Sequence, residues 1–438
     1  MDSRESENAA NDSVAGEACA VLRAKLGAIR NSTLAIYAHL TPAQMQVRYL
    51  PTINPPLWEL GHVAWFQEYW CRCLRTDGPR LPSRYPHFDD WYNSSVIAHA
   101  DRWMLAHPPR EVILQQMRET LDDALRALEQ ADEAGRYFFD LAVLHEAMHA
   151  EALMMTLQTL GLPAPPSTDL TWSGKSHAVE TASRDIAFAG GVFPMGTEPG
   201  TSRFVFDNEK WAHPVRVMPF AIANKCVSNA EFAAFVDDAG YARRECWSES
   251  GWIWRTNAKA GHPVYWRKQG AHWLVRTNDR WEPLDAAQPA MHVNLHEAQA
   301  WCAWANRRLP TEAEWEFAAT GGETATFPWG DDMALLRDCA LGNKAEHPAP
   351  AGSAVADLGP LLHLIGNVWE WTQTPFAPYP GFAPDPYEDY SAPWFGDHTV
   401  LRGGSFVTSS WLIHNRFRNF YKPERRDVFA GFRTCATG

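Results

Sequence analysis

Residues 141–161 read LAVLHEAMHAEALMMTLQTLG. Apolar residues recur there every three or four positions, which predicts a long helix, and Gly161 followed by Pro163 predicts its end. His145 and His149 stand four residues apart, a spacing that stacks two imidazoles on one helical face. Glu151 falls about 200° round the helix from His149, as a structural partner rather than a ligand. A third imidazole is offered by NPPLWELGHVAWFQEYW, residues 54–70, read as an amphipathic segment whose single histidine is His62. Three such imidazoles are either satisfied core histidines or a face of neutral nitrogen ligands that leaves positions open for substrate and dioxygen.

Outward from this stretch, helical periodicity covers about 17–40, 55–76, 109–133 and 136–161. Pro108-Pro109 before Arg110-Glu111 reads as a helix start. Four helices of this length predict a bundle, and bundles build metal sites from side chains on facing helices. HEAMH also matches the H-E-x-x-H helix of zinc proteases, in which the Glu is the general base. The elongated protease version needs Gly and His where Ala152 and Met155 stand, and a proline-rich stretch follows Gly161 in place of a helix bearing a third ligand. Between iron and zinc the residues alone do not choose.

At 438 residues the chain predicts two domains. We expect a disordered N-terminus over 1–16, a helical bundle over 17–161, a linker over 162–186 and a second domain over 187–438. In the last, short apolar runs alternate with Gly, Pro, Asn and Trp, interrupted by two predicted helices, Asn229–Ala239 and Leu295–Asn306. The formal charge of −13 argues against nucleic acid or an anionic membrane as partner, since both select cationic surfaces. No stretch approaches the roughly 20 apolar residues that cross a bilayer. With no secretory h-region and eight scattered cysteines, the expectation is a cytoplasmic, monomeric protein with reduced thiols, acting on small molecules.

Six motifs in order, GGVFPMGT (190–197), NLHEAQAWCAWANRRLPTEAEWEFAATGG (294–322), FPWGD (327–331), GNVWEWT (366–372), VLRGGSF (400–406) and AGFR (430–433), resemble the formylglycine-generating-enzyme (sulfatase-modifying-factor) fold. That fold is β-rich and C-type-lectin-like. Behind a DinB-like bundle carrying H-x3-H-x-E, the arrangement is similar to the ergothioneine-type sulfoxide synthases and selenoneine synthase. The fold class expected is therefore α+β multidomain: an N-terminal DinB-like four-helix bundle followed by the lectin-like domain.

The resemblance implies Fe(II) held by His62, His145 and His149. It also implies use of O2 to bond sulfur or selenium to the imidazole C2 of hercynine, the trimethylated betaine of histidine. Formylglycine-generating enzymes hold copper on a C-terminal cysteine pair; only Cys435 stands near that place, so copper is not implied here. A quaternary ammonium is best held over aromatic faces. Trp369, Trp371, Tyr379, Phe420 and Tyr421 are the candidates, with Tyr379 of FAPYPGF expected as proton donor. Arg402, Gly403, Gly404, Asn367 and Glu370 read as fold-determining.

The thiol-peptide enzymes carry an Asp after the aromatic of the segment matching NFYKPERR and an Arg four residues on. Here Tyr421 takes the place of that Asp, while Arg425 remains. NSSVIAHADRWML (93–105) offers only Arg102, and Met148 precedes the second helix histidine. A pocket with less charge and more ring surface suits a sugar. The expected donor is thus a selenosugar, with Trp371, Phe420, Tyr421, Arg425 and Arg102 binding substrate. Cysteine or γ-glutamylcysteine is the alternative donor, and a lectin-like binding protein with a structural metal is the non-enzymatic reading.

Overall fold

A computed structural model describes residues 2–74, 78–166, 182–345, 347–353 and 359–437, with side chains from residue 16 onward. The expected linker falls largely on 167–181, outside the described residues. The chain forms two compact units, Met1–Pro165 and Pro166–Gly438. The helical first unit and the mixed second unit make an α+β multidomain protein. No described helix is long and apolar enough to cross a membrane.

The first unit holds α1 (Asp2–Ala38), α2 (Pro56–Glu68, continued by a wider π turn at Tyr69–Cys73), the short α3 (Phe88–Tyr92), α4 (Arg110–Leu128) and α5 (Glu133–Leu160). α1 begins inside the stretch expected to be disordered; Ala9, Ala10, Ala15 and the glutamates there favour helix even without an apolar stripe. α5 starts where the Asp132 carboxylate accepts from the Gly135 N–H and ends where Gly161 takes a left-handed φ of 66°. α2 starts with a proline in its first turn.

α2 differs from its reading as amphipathic. Every residue except Leu57 is buried, because α2 packs on both α4 and α5. A helix buried all round must satisfy its polar side chains internally. Gln67 accepts from Arg30, and Glu68 accepts from Arg72, Ser83 and the Arg84 N–H. The remaining two, Glu59 and His62, belong to the site below.

The second unit contains β1 (Asp185–Phe188), β2 (Gly191–Met195), β3 (His213–Val217), β4 (Phe220–Ala223), α6 (Asn229–Asp237), α7 (Glu249–Ala258), β5 (Trp266–Gln269), β6 (His272–Thr277), β7 (Arg280–Pro283), α8 (Leu295–Trp304), β8 (Arg307–Arg308), α9 (Glu312–Thr320), β9 (Trp369–Pro375), β10 (Thr399–Arg402), β11 (Asn419–Tyr421), β12 (Ala430–Gly431) and β13 (Cys435–Ala436). Two four-stranded sheets, β1-β4-β13-β8 and β11-β10-β9-β12, are accompanied by the β2-β3 hairpin and the β5-β6-β7 meander. α7 and α9 go beyond the two helices expected. Their starts are legible in the sequence: Ser248 accepts from the Gly251 N–H, and Thr311 and Glu314 form a reciprocal capping box.

The core of this unit joins Phe193, Met195, Ile222, Trp315, Phe317 and Tyr379. It also buries charge in pairs. Glu370 accepts from Arg433 and from the Trp315 indole, and Arg418 grips Glu312 through Nε at 2.7 Å and Nη2 at 3.1 Å. Arg402 pairs with Glu316.

Candidate metal centre

α2 and α5 bring His62, His145 and His149 together, with one nitrogen from each lying within 4.8 Å of the others. Among the described residues this is the one group of His, Cys, Asp or Glu arranged to hold a metal ion. The rings pack closely, with centroids 4.7 Å apart for His62 and His149, 5.1 Å for His62 and His145, and 4.4 Å for His145 and His149.

Each ring is fixed by its own partner. His62 Nδ1 donates to the Tyr92 carbonyl at 2.7 Å, which leaves Nε2 as its lone-pair nitrogen. His149 Nδ1 meets Glu59 Oε1 at 2.8 Å. Trp58 stacks on His62 with ring centroids 4.8 Å apart, and Phe66 lies face to face with His145 at 3.4 Å. Both stacking partners are set by α2, four residues from His62 on either side.

The electrostatics favour neutral imidazoles at His62 and His145. Burial, reinforced by mutual repulsion with His149, pulls the His62 and His145 pKa values well below the usual histidine range. Neutral nitrogen donors whose outer nitrogens rest on a carbonyl and a carboxylate are the donor set and support that a first-row divalent metal takes. The residues present therefore fit such an ion.

Gly61 shapes the wall beside His62. The Tyr92 ring lies against its Cα so closely that a Cβ there would fall inside the ring. Arg102 approaches the same wall: its guanidinium stacks 4.0 Å over the Trp58 ring and donates to Asn54 Oδ1 at 2.7 Å. Burial, opposed by Glu59, lowers its pKa to about 10. Arg102 thus shares the first unit with the three histidines.

The second half of HEAMH behaves differently from the protease reading. Glu146 is turned away from the histidines and is held bidentately by Arg30, which also donates to Gln67 and to the Met117 carbonyl. A carboxylate so engaged is a structural anion, not a free general base.

The remaining sequence-expected residues lie in the second unit. Trp371, expected as a substrate contact, is fully buried, and its indole N–H donates to the Val293 carbonyl at 2.9 Å. Trp369 is likewise core. Tyr379 sits in the core with Arg418 4.1 Å over its ring and its hydroxyl 3.4 Å from Glu312 Oε1. Burial, with Arg418 opposing and Glu312 adding, drives the Tyr379 pKa far above the usual tyrosine range. Phe420 and Tyr421 on β11 are half-buried; Phe420 stacks on Phe376 at 4.0 Å. Arg425 lies over the Tyr421 ring at 5.1 Å and forms a two-pronged pair with Asp427 at 2.6 and 2.7 Å. Cys435 is fully buried in β13.

What the sequence reading missed is the support around the ligands: Glu59, the Tyr92 carbonyl, and the aromatic partners Trp58 and Phe66. Glu59 was within reach, because it precedes His62 by one helical turn on the same face.

A helical bundle with a three-histidine cluster, followed by a sheet-and-loop domain, defines the class of a two-domain metalloprotein. Residues 25–154 match the DinB superfamily and residues 173–437 match the sulfatase-modifying factor enzyme 1-like domain. The hercynine oxygenase of Mycolicibacterium thermoresistibile is 34% identical over 421 residues, covering 92% of each chain. That of Mycobacterium tuberculosis is 33% identical over 431 residues, covering 95% of this chain and 97% of its own. The formylglycine-generating enzyme of Streptomyces coelicolor is 30% identical over 292 residues, 61% of this chain and 91% of its own. With nearly full-length identity at this level, the chain belongs to the ergothioneine-type family of the hercynine oxygenases.

Proposed function

We propose that this chain is an iron- and dioxygen-dependent enzyme that joins the imidazole C2 of hercynine to a chalcogen donor. The observation that carries the reading is the three-histidine cluster of a bundle whose full-length relatives are named hercynine oxygenases. For a thiol donor the overall change balances as hercynine C2–H plus RSH plus O2 giving the C2-bonded sulfoxide plus water. C–H and S–H break, C–S and S–O form, and one oxygen atom leaves as water. When bound, iron would supply the redox chemistry that couples these changes to O2.

The protein's own contribution is positioning. His62, His145 and His149 would hold the ion, each ring locked by packing or a hydrogen bond so that no reorganisation is needed on binding. Trp58 and Phe66 cover two of the rings and keep water from them. Arg102, cationic and stacked on Trp58, is placed to pair with a substrate carboxylate. Phe420 and Tyr421 are proposed as aromatic substrate contacts and Arg425 as a donor-side cation, a role that requires a share of its bond to Asp427.

The relatives support a sulfur donor, cysteine or γ-glutamylcysteine. A second reading, a selenosugar donor with formation of a C–Se bond, is favoured by one observation. By the family resemblance Tyr421 takes the place of a carboxylate that would grip an amine, and in the structure the neighbouring Arg425 is paired with Asp427.

The test is turnover by the full chain, loaded with Fe(II) anaerobically and mixed with hercynine and air. Separate vials offer cysteine, γ-glutamylcysteine or a selenosugar, and mass spectrometry and oxygen uptake read the result. A hercynyl sulfoxide is the expected product. A hercynine–selenium conjugate in the last vial alone would replace the sulfur donor by selenium. No donor-dependent oxygen uptake and no conjugate in any vial would overturn the enzymatic reading.

A further inference from the structure

Glu59 is one of the most deeply buried carboxylates of the first unit, 1% exposed, on the helix that carries His62. Its Oε1 meets Nδ1 of His149 on α5, so it bridges the two helices that supply the three imidazoles. Among the described residues no Arg or Lys nitrogen lies within ion-pair distance of it; His149 is its partner. By contrast, Glu68 and Glu146, buried to the same 1%, each have an arginine. A buried carboxylate is costly unless hydrogen bonds or positive charge compensate it, and the hydrogen-bond partner of Glu59 is a ligand ring.

We infer that Glu59 is a positioning residue of the metal centre, acting through His149 and not as a ligand. It accepts the Nδ1 proton, which leaves Nε2 of His149 as the donor nitrogen, and it makes that imidazole a stronger base. A divalent cation held on the far side of the ring would add positive charge opposite Glu59, beyond that of Arg102 nearby. The usual iron site of two histidines and one carboxylate binds its anion directly. Here the carboxylate stands one ring further out, so that a site of three imidazole ligands keeps it close while losing no open position. This inference rests on the metal reading above.

The full-length protein, stripped of metal and titrated with Co(II) under nitrogen, separates the possibilities. Visible absorption reads the ligand field and competition with a chromophoric chelator reads affinity. Glu59→Gln, which keeps shape and removes charge, should weaken Co(II) binding by about 10- to 100-fold and shift the Co(II) bands. Helical circular dichroism of the metal-free variant should match wild type. Wild-type affinity and spectrum in Glu59→Gln would overturn the role of Glu59 alone. If wild type binds Co(II) no better than His149→Ala, the metal reading falls and takes Glu59 with it. A measurement on wild type needs no variant: nitrogen-15 histidine NMR of the Zn(II)-loaded protein should show His149 bound through Nε2 with a slowly exchanging Nδ1 proton, and metal on Nδ1 would overturn the inference.

Discussion

Arg30 holds Glu146 bidentately at the centre of the bundle, Nε to Oε1 at 2.8 Å and Nη2 to Oε2 at 3.0 Å, one residue along from His145. The same guanidinium reaches Gln67 on α2 and the Met117 carbonyl on α4, so a single side chain of α1 ties three other helices together. The face of α5 flanking the histidines, about 60° round the helix from His149, is thereby locked, which sets the rotation that aims His145 and His149 inward.

Breaking this pair on one side should be severe. Arg30→Met leaves a buried carboxylate without its cation and is expected to cost about 3–5 kcal/mol in urea unfolding followed by circular dichroism. The double variant Arg30→Met/Glu146→Leu should recover most of that loss; a double variant as unstable as the single one would show that packing, not charge, dominates.

Gly61→Ala tests the wall beside His62. The new methyl must displace the Tyr92 ring, whose carbonyl receives the His62 Nδ1 proton. We expect a loss of about 1–3 kcal/mol in stability together with weaker Co(II) binding. Unchanged metal affinity in the folded variant would uncouple Tyr92 from the histidine.

Stability should depend on His292 as pH falls. This residue of the second unit is 3% exposed, and burial, opposed by Asp427, lowers its pKa to about 4. The unfolded chain takes up that proton near pH 6.5. Between about pH 6.5 and 4 the unfolded state therefore binds more protons, and stability declines as pH falls by at most about 1.4 kcal/mol per pH unit from this group. His292→Asn, which tolerates the φ of 60° found there, should flatten the slope in that window, as read by thermal melts at stepped pH.

Donor choice should respond to position 421. Tyr421→Asp places a second carboxylate beside Arg425, which Asp427 already pairs, and should raise kcat/KM for γ-glutamylcysteine relative to a selenosugar by about tenfold. An unchanged ratio would remove Tyr421 from the donor site.

Much of the fold was legible because it is local. The H-x3-H spacing, the proline and glycine helix boundaries and the apolar periodicity are properties of a few consecutive residues. Capping chemistry made α6, α8 and α9 equally local, although α9 was read only as a continuation of the run after α8. α2 was misread as amphipathic because its apolar content is nearly uniform, and only packing on two sides shows that Glu59, His62, Gln67 and Glu68 are interior. The motifs mark Trp371 as a substrate contact and Tyr379 as a proton donor, because aromatic residues in loop motifs serve packing and chemistry alike. Their burial against Glu312, Arg418 and the Val293 carbonyl is a matter of residues 67, 39 and 78 positions away.

The sequence by itself determined which residues could ligate, where the two domains' grammars change and which family the motifs resemble, since each depends on residue type and short spacing. Tertiary structure decided what those residues do. It brought His62 to within ligand distance of two histidines more than 80 positions away, gave one a carboxylate and another a carbonyl, and spent Glu146 on Arg30. The physical reason is burial: in the interior every polar atom must find a partner, and the partners come from helices far apart in the chain.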